Sequence, residues 1–327
     1  MKNMVRFGLL LVVVLVMGVL SVSAQDDVFR VAVVAPSATN DLAFSQSMYD
    51  ALLRVQAEMG EDAFQFDFQE GTFVVDDAAV ALRDWAASGE YDLIIAHGSQ
   101  YGSIIEELAP EFPEVSFAWG TDVNTFGLDN VYAYTAAAAE GGYVNGAVAA
   151  TLSESGIIGV VGPIEVGDAK AYVDGFVNGA LATDPEATVN VTYIGSFSDV
   201  PLATEAANAH VQNGADVLTG SAQMVVGAIG VAQENELLWF GTQSSQADLA
   251  AEAGVSFQVY HWEVVLNDII ANLEEGVLGG EAYTLTLENG GLTVDISEST
   301  GLDEETVTAI SAQIDELITG IIAGDIV

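Results

Sequence analysis

Apolar strand-like runs alternate with amphipathic helix-like segments along almost the whole chain. The first unit has a continuous apolar run at residues 28–35, a loop, and then helical spacing of apolar residues from Phe44 to Val55. Continuous apolar runs are typical of strands that are buried on both faces of a parallel sheet. The alternation therefore predicts an α/β fold with helices covering parallel sheets. Strands are predicted at residues 29–35, 64–68, 91–96, 115–118, 131–134, 156–161, 188–194, 215–218, 237–240, 255–259 and 283–287.

The units fall into two sets of similar size, at residues 29–118 and 156–240, which favours two doubly wound lobes over one large sheet. We expect crossovers between the lobes at residues 132–140 and 241–246. Two lobes joined by short connections form a hinged cleft, and its closure can bury a small ligand. The predicted division assigns residues 28–134 and about 245–278 to the N-terminal lobe, 135–243 and about 280–296 to the C-terminal lobe, and 302–327 to a C-terminal helix and tail.

The first 24 residues have the features of a secretory signal peptide. Lys2 and Arg6 precede an apolar segment at residues 7–20, and small residues at 22–24 offer a cleavage site. The alternative is an uncleaved anchor, although a spanning helix needs roughly 20 apolar residues. The chain has no Cys, so a lipid anchor at a cleavage-site Cys is excluded. We expect an exported, soluble protein, periplasmic or extracellular and not a lipoprotein.

The charge balance restricts the partners. The chain has 6 Lys+Arg against 48 Asp+Glu, a formal net charge of −42. Such a surface repels polyphosphates and anionic lipids, so we expect no nucleic-acid partner. Anionic small ligands are disfavoured for the same reason, and we expect a monomer.

Ligands of open α/β sheets bind where strands end and helices begin. The first such turn offers a ring and polar groups, at Asn40, Asp41, Phe44 and Gln46, without a nucleophile–base pair. Spacing alone favours Phe44 as a core residue of the helix, and Asp41 could simply cap the helix.

Catalytic and metal-binding signals are weak. His97 and His261 follow predicted strands and can reach the cleft, whereas His210 is predicted to lie on a helix surface. No HxxxH or HxH spacing supports a metal site, and Ser45 and Ser99 lack the GxSxG elbow of a hydrolase. We therefore expect no cofactor, no metal and no enzymatic activity.

Four stretches have a recognisable order and spacing. They read NDLAFSQS at residues 40–47, DLIIAHGSQYGSIIEELAPEFPEVSFAW at 92–119, YIGSFSDVPLATEAANAHVQNGADVL at 193–218 and IDELITGIIAGDIV at 314–327. Together they resemble the basic membrane protein family, the purine nucleoside receptor group of ABC importer solute-binding proteins. The resemblance covers essentially the whole chain after the signal. It implies the type I periplasmic-binding-protein fold, with two lobes and a three-crossover hinge, and ABC permease subunits as partners.

The resemblance also implies roles for individual residues. In the nucleoside receptors, aromatic rings sandwich the purine and acidic side chains bind the ribose hydroxyls. Carried over, Phe44 is the stacking ring of the first lobe with Asn40 and Asp41 beside it, Asp122 is an acidic contact, and Phe197 is a possible second ring. Asp122 could instead be a turn former. The candidate ligand contacts are Asn40, Asp41, Phe44, Gln46, His97, Asp122, Phe197, Gly220, Gln243, His261 and Trp262.

Two departures from the family pattern bear on specificity. Gln243 stands where the family often has an Asp that holds the ribose. Tyr260, His261 and Trp262 stand where it often has a Lys, and this version resembles a subgroup associated with purine bases.

The sequence therefore predicts an extracytoplasmic receptor of an ABC importer that binds a purine base or nucleoside between two lobes. The alternatives are a receptor for another neutral solute such as a sugar or flavin, a sensory ligand-binding protein, and an exported enzyme acting on nucleosides. The last would need an acid/base set, and the sequence shows only scattered carboxylates.

Overall fold

The computed structural model describes residues 28–326, so the expected signal peptide at residues 1–24 lies outside the described residues and stays a prediction. Within residues 28–326, no helix has both the length and the apolar character needed to cross a membrane. The strands of this part are β1 (Phe29–Val34), β2 (Phe64–Gln69), β3 (Leu93–His97), β4 (Ser116–Gly120), β5 (Val131–Ala136), β6 (Ile157–Gly162), β7 (Thr188–Tyr193), β8 (Val217–Gly220), β9 (Leu238–Thr242), β10 (Gly254–Tyr260), β11 (Ala282–Leu285) and β12 (Leu292–Ile296).

Helices fill most of the connections between these strands. Two of them begin at side-chain caps that the sequence supplies: Asp199 accepts a hydrogen bond from the backbone N–H of Leu202, and Asp303 accepts one from that of Thr306. The α-helices are α1 (Phe44–Met59), α2 (Val75–Ser88), α3 (Gly102–Leu108), α4 (Ala138–Leu152), α5 (Gly167–Thr183), α6 (Val200–Gln212), α7 (Val225–Glu234), α8 (Ala247–Ala250), α9 (Trp262–Glu274) and α10 (Glu304–Ile322).

The strands form two sheets of six, in the orders β11-β5-β4-β3-β1-β2 and β12-β10-β9-β8-β6-β7. The two orders are equivalent, because each sheet places its second strand at one edge and the later strands in sequence toward the other. All the described pairings are parallel except that of β10 with β12. The predicted two-lobe α/β fold is confirmed, with the first sheet in the N-terminal lobe and the second in the C-terminal lobe.

The chain crosses between the two sheets three times. The chain leaves the first sheet after β5, returns to it after β10, and leaves it again between β11 and β12. The crossover expected at residues 132–140 is present, but residues 241–246 are not one, since β9 and β10 pair within the second sheet.

The predicted lobe boundaries differ from the sheets at two strands. β10 lies in the C-terminal lobe's sheet, and β11 lies in the N-terminal lobe's sheet beside β5. An apolar run such as residues 255–259 fits the interior of either sheet, so its sequence does not assign it to a lobe. β12 was absent from the predicted strands because its alternating burial gives only a short apolar signal.

Close packing of α4 against α5 sets the position of the α5 N-terminus at the cleft. A Cβ atom at Gly146 would lie 2.0 Å from the carbonyl oxygen of Phe176, and one at Gly179 would lie 2.0 Å from that of Tyr143. Only glycine permits this approach of two helix backbones. The glycines therefore fix the helix whose first turn carries Asp168.

Candidate functional site

A cavity of about 340 Å³ lies between the lobes, within the size range of small-molecule sites. Its lining is mostly apolar and aromatic, with a few polar side chains. The N-terminal lobe contributes Pro36, Ala43, Phe44, Phe73, Gly98, Ser99, Gln100 and Thr121. The second sheet and its connections contribute Val166, Asp168, Ala169, Phe197, Ser221, Ala222, Gln223, Thr242, Gln243 and Tyr260.

The lining residues follow the carboxyl ends of strands from both sheets. Thr121 follows β4, Ser221 and Ala222 follow β8, and Gln243 follows β9. Ala222 and Gln243 have positive φ values of 69° and 79°, which non-glycine residues rarely adopt. Strained backbone of this kind concentrates at ligand sites. The cavity therefore lies where open α/β sheets bind their ligands.

Phe44 presents its ring to the cavity from a packed aromatic cluster. Its ring centroid lies 3.8 Å from that of His97 with the planes 8° apart, and 6.2 Å from that of Trp262 in an edge arrangement. Trp262 is fully buried and its indole Nε1 donates a hydrogen bond to the Ser47 hydroxyl. Tyr134 closes the cluster, 5.9 Å from His97 and 5.3 Å from Trp262. Phe44 is thus both a core contact and a cavity wall.

The hydrogen bonds of His97 fix its protonation. Its Nε2 lies 3.1 Å from the Phe44 carbonyl oxygen, which can only accept, so Nε2 carries the hydrogen. The Tyr134 hydroxyl, 2.9 Å from Nδ1, then donates to that nitrogen. Burial lowers the pKa of His97 to about 3. The ring behind Phe44 is therefore a neutral imidazole.

Asp41 holds the start of α1 and joins the two lobes. Its carboxylate accepts hydrogen bonds from the backbone N–H groups of Ala43, Ser45 and Gln46. Across the cleft, the Gln223 amide donates to Asp41 Oδ2 at 3.1 Å. A second contact between lobes runs from the Gln246 amide to the Leu42 carbonyl oxygen. The described conformation is therefore a closed one.

Asp168 faces the cavity from the first turn of α5. Its Oδ2 accepts a hydrogen bond from the Tyr260 hydroxyl at 3.1 Å, and its Oδ1 lies 3.4 Å from the Thr121 hydroxyl. Burial raises the pKa of the Asp168 carboxyl, and the hydrogen bonds from Tyr260 and Thr121 oppose that increase. The buried Ser221 hydroxyl on the same wall has no hydrogen-bond partner among residues 28–326.

Three of the candidate residues line the cavity, namely Phe44, Phe197 and Gln243. His97 and Trp262 instead pack behind Phe44 and have no surface in the cavity. Gln243 is buried, and its Oε1 accepts a hydrogen bond from the backbone N–H of Tyr260.

The remaining candidates lie outside the cavity lining: Asn40, Asp41, Gln46, Asp122, Gly220 and His261. Asp122 is exposed and accepts hydrogen bonds from the N–H groups of Val123 and Asn124, as in the turn that was the alternative interpretation. The Gln46 side chain accepts from Leu42 N–H, and His261 bonds Glu263 and Thr293.

The histidines do not form a metal site in the described part of the chain. No group of three or more His, Asp or Glu side chains there is placed to hold a metal ion. His210 was predicted to be on the surface but is buried, with its Nε2 bonded to the Val160 carbonyl oxygen. The side of a helix that faces its sheet is buried, and a polar residue that falls on that side is buried with it. The surface position predicted for His210 was therefore wrong.

Sequence reasoning missed most of the polar lining. Thr121, Asp168, Ser221, Gln223 and Tyr260 line the cavity, yet none was among the candidate ligand contacts. Only their position in the sequence could have identified them, because each lies within a few residues of the carboxyl end of a strand or in the first turn of the helix after it. Asp168 lies in the first turn of α5 and faces the cleft.

Comparisons with known proteins agree with this architecture. Residues 28–326 match the model of a protein family that is described as "ABC transporter substrate-binding protein PnrA-like". A purine-binding protein of Brucella abortus (strain 2308) is 29% identical over 201 residues, which are 62% of this chain and 56% of that protein. The transcriptional activator protein med of Bacillus subtilis (strain 168) is 24% identical over 262 residues, 80% of each chain.

Among solved structures, an ABC transporter solute-binding protein from Conexibacter woesei superimposes with a TM-score of 0.73 at 25% identity. The match covers 89% of this chain and 97% of that one. The match with the Brucella protein spans only about half of that protein's length. Because the family model covers all of the described residues, this protein belongs to the PnrA-like family of ABC transporter substrate-binding proteins.

Proposed function

We propose that this protein is the extracytoplasmic receptor of an ABC importer for a purine base or nucleoside, which it binds between its lobes. The observation that carries the proposal is the Phe44 ring, which faces the cavity and is held flat against His97. An immobilised ring of this kind favours a planar ligand, since offset stacking adds roughly 0.5–1.5 kcal/mol beyond area burial. Phe197 supplies a second ring from the opposite lobe.

The electrostatics of the cavity favour a neutral ligand. Its lining includes no Lys or Arg, and its one carboxylate is that of Asp168. An anionic ligand would enter a protein of net charge −42 without a cation to pair with it. A neutral purine offers a flat apolar face and several hydrogen-bonding groups, which matches this mixture of rings and polar side chains.

Gln243 supports a preference for the base over the nucleoside. A carboxylate at this position could accept charge-assisted bonds from two ribose hydroxyls, whereas an amide has one acceptor oxygen. In Gln243 that oxygen already accepts from Tyr260 N–H. Losing a hydrogen bond to a charged group costs about 1.5–3 kcal/mol, or roughly 10- to 150-fold in affinity.

Export, the permease partner, the monomeric state and the lack of catalysis are parts of the same proposal. The N-terminal sequence pattern supports export, and the family supports ABC permease subunits as partners. A sensory role is the second candidate, favoured by the likeness to a protein named as a transcriptional activator. Permease and ATPase genes beside this one would favour import, and a sensor kinase gene would favour sensing.

A thermal-shift series tests the ligand class. Adenine, guanine, hypoxanthine and their nucleosides are compared with ribose, glucose and riboflavin. A purine at about 100 times its dissociation constant should stabilise the protein by roughly 2.7 kcal/mol. A shift with a sugar or flavin but with no purine would overturn the proposal. Calorimetry with adenine against adenosine then tests base preference, and nucleosides that bind as tightly as their bases would refute it.

Prolonged incubation with adenosine or inosine tests for chemistry. We expect no free base above a buffer blank. Protein-dependent release of base would instead favour a nucleoside-acting enzyme.

A further inference from the structure

Asp168 is unlike every other group in the cavity. It is the one carboxylate in the lining, which also contains no Lys or Arg. It lies on α5, and the close packing of α5 against α4 at glycine residues fixes the position of that helix. Asp122, the acidic contact expected from the sequence, lies outside the lining. The cavity therefore offers a ligand one charged acceptor, the Asp168 carboxylate.

The Asp168 carboxylate has acceptor capacity to spare. An ionised carboxylate has about four lone-pair positions on its two oxygens. The Tyr260 hydroxyl uses one at 3.1 Å, and the Thr121 hydroxyl is a weak donor at 3.4 Å. The backbone N–H groups of Asp168 and Ala169 also stabilise the carboxylate. Only the bond from Tyr260 is of ordinary length, so a ligand N–H can compete with the weaker donors for either oxygen.

No cation neutralises this carboxylate in the described part of the chain. Lys170, two residues away, pairs with Asp174, while Arg54 pairs with Glu263. Placing a carboxylate in a cleft without a cation is costly unless donors solvate it. Closure of the lobes around a ligand removes water, so ligand N–H groups complete the set of donors that Tyr260 and Thr121 begin.

The ligand chemistry that meets this demand is a pair of parallel, coplanar N–H groups. A 2-amino-6-oxopurine has them, at ring N1 and the exocyclic 2-amino group, and can donate both to one carboxylate. Hypoxanthine offers only N1–H on this edge. Adenine has an unprotonated N1, whose lone pair would face the carboxylate. We propose that Asp168 makes the cavity selective for guanine-type purines over adenine-type purines; this inference rests on the purine-receptor function proposed above.

Calorimetry with 9-methylguanine, 9-methylhypoxanthine and 9-methyladenine tests the proposal, because the methyl group prevents donation from N9. The wild-type protein should bind them in that order of decreasing affinity. Asp168→Asn replaces one acceptor by a donor of nearly the same size. It should lower the affinity for 9-methylguanine by roughly 10- to 150-fold. The affinity for 9-methyladenine should change by less than about threefold. The guanine-to-adenine ratio is the readout, since a general loss of fold would weaken both ligands alike.

Asp174→Asn is the matched control, because Asp174 lies on the same helix but is exposed and outside the cavity. It should leave both affinities unchanged. If 9-methyladenine binds the wild type as tightly as 9-methylguanine, or if Asp168→Asn leaves their ratio unchanged, the inference is overturned while the purine-receptor function stands. If none of the unmodified or methylated purines binds the wild type, the proposed function itself fails. Should Asp168→Asn not fold, the wild-type ranking decides alone.

Discussion

The two walls of the cavity are built in different ways. The first-lobe wall is dominated by Phe44, whose ring rests on the buried His97 and against the buried Trp262. The second-lobe wall consists of helix starts and strand-end loops, with Asp168 facing the cavity and positive φ at Ala222 and Gln243. One wall is an extension of a hydrophobic core. The other wall presents polar groups on backbone that the surrounding structure must hold in place.

The difference suggests that the two walls contribute to ligand binding in different ways. A ring that is already immobile loses little entropy when a ligand stacks on it, so the first wall is preorganised for binding. The polar groups become complete only when the lobes meet, because Asp168 contacts Thr121 and Gln223 contacts Asp41 across the cleft. We expect the first wall to set affinity for a flat ligand and the second to set its identity.

The largest expected effect tests whether Trp262 supports the wall or forms it. Trp262→Ala should lower the free energy of unfolding by about 3–5 kcal/mol, since it empties a fully buried site. Chemical denaturation measures this change. Trp262→Phe, which keeps the ring but loses the hydrogen bond to Ser47, should cost much less. A Trp262→Phe variant of normal stability that no longer binds purines would show that Trp262 contacts the ligand after all.

The ionisable groups of the two walls should respond to pH with opposite signs. Below about pH 6.5 the unfolded chain protonates the His97 imidazole, but the folded protein does not do so until its pKa of about 3. His97 therefore removes stability as the pH falls, by roughly 2–3 kcal/mol at pH 4.5. Asp168 has a raised pKa when folded, so its cost is present at neutral pH and disappears as the pH falls through that pKa.

Denaturation at several pH values separates these contributions. The difference in unfolding free energy between wild type and His97→Gln should change by that amount between pH 7 and pH 4.5. The difference between wild type and Asp168→Asn should change in the opposite direction. Parallel curves for wild type and His97→Gln would show that His97 is not held neutral.

The contrast between the walls also explains what the sequence could predict. Alternating strands and helices are a local pattern, and the two-lobe fold that they predict is confirmed. Apolar spacing predicts the helix that begins at Phe44, but the expectation that its ring contacts a ligand came from the family resemblance and stays a prediction; Phe44 lies in the cavity lining. His97 and Trp262 were predicted as ligand contacts because each adjoins a strand end. The spacing of residues along the chain does not show whether a side chain faces the cavity or packs behind Phe44. The supporting role of His97 and Trp262 was therefore not predicted.

The second wall was poorly predicted for a different reason. Asp168 and Tyr260 are distant in sequence and meet only because β6 and β10 belong to one sheet. The sequence prediction had placed residues 255–259 in the other lobe. Ser221 and Gln223 lie in a short loop with no pattern of their own. Such residues become identifiable only when the strand order is known.

Phe44 and Phe73 offer a comparison within the first wall. Both line the cavity, but Phe73 is 42% exposed and, unlike Phe44, is not part of the aromatic cluster. Phe44→Ala should weaken purine binding by about 1–3 kcal/mol, the range found for loss of a base-stacking ring, or roughly 5- to 150-fold. Phe73→Ala should have a smaller effect. Equal losses by calorimetry would mean that packing behind the ring does not matter.

The smallest expected effect concerns the contact that joins the walls. Gln223→Ala removes the hydrogen bond to Asp41 Oδ2, but water can replace it when the lobes open, so the net loss should be about 0.5–1.5 kcal/mol. That corresponds to roughly 2- to 12-fold in affinity. Because the bond forms only after closure, the loss should appear as faster ligand release with little change in the association rate. Gln233→Ala is the matched control, since this exposed glutamine of the same lobe bonds the Leu249 carbonyl oxygen away from the cleft. Stopped-flow measurement of both rate constants decides the question. A slower association rate with unchanged release would mean that Gln223 acts in the open protein, and the walls would then not depend on closure to complete the site.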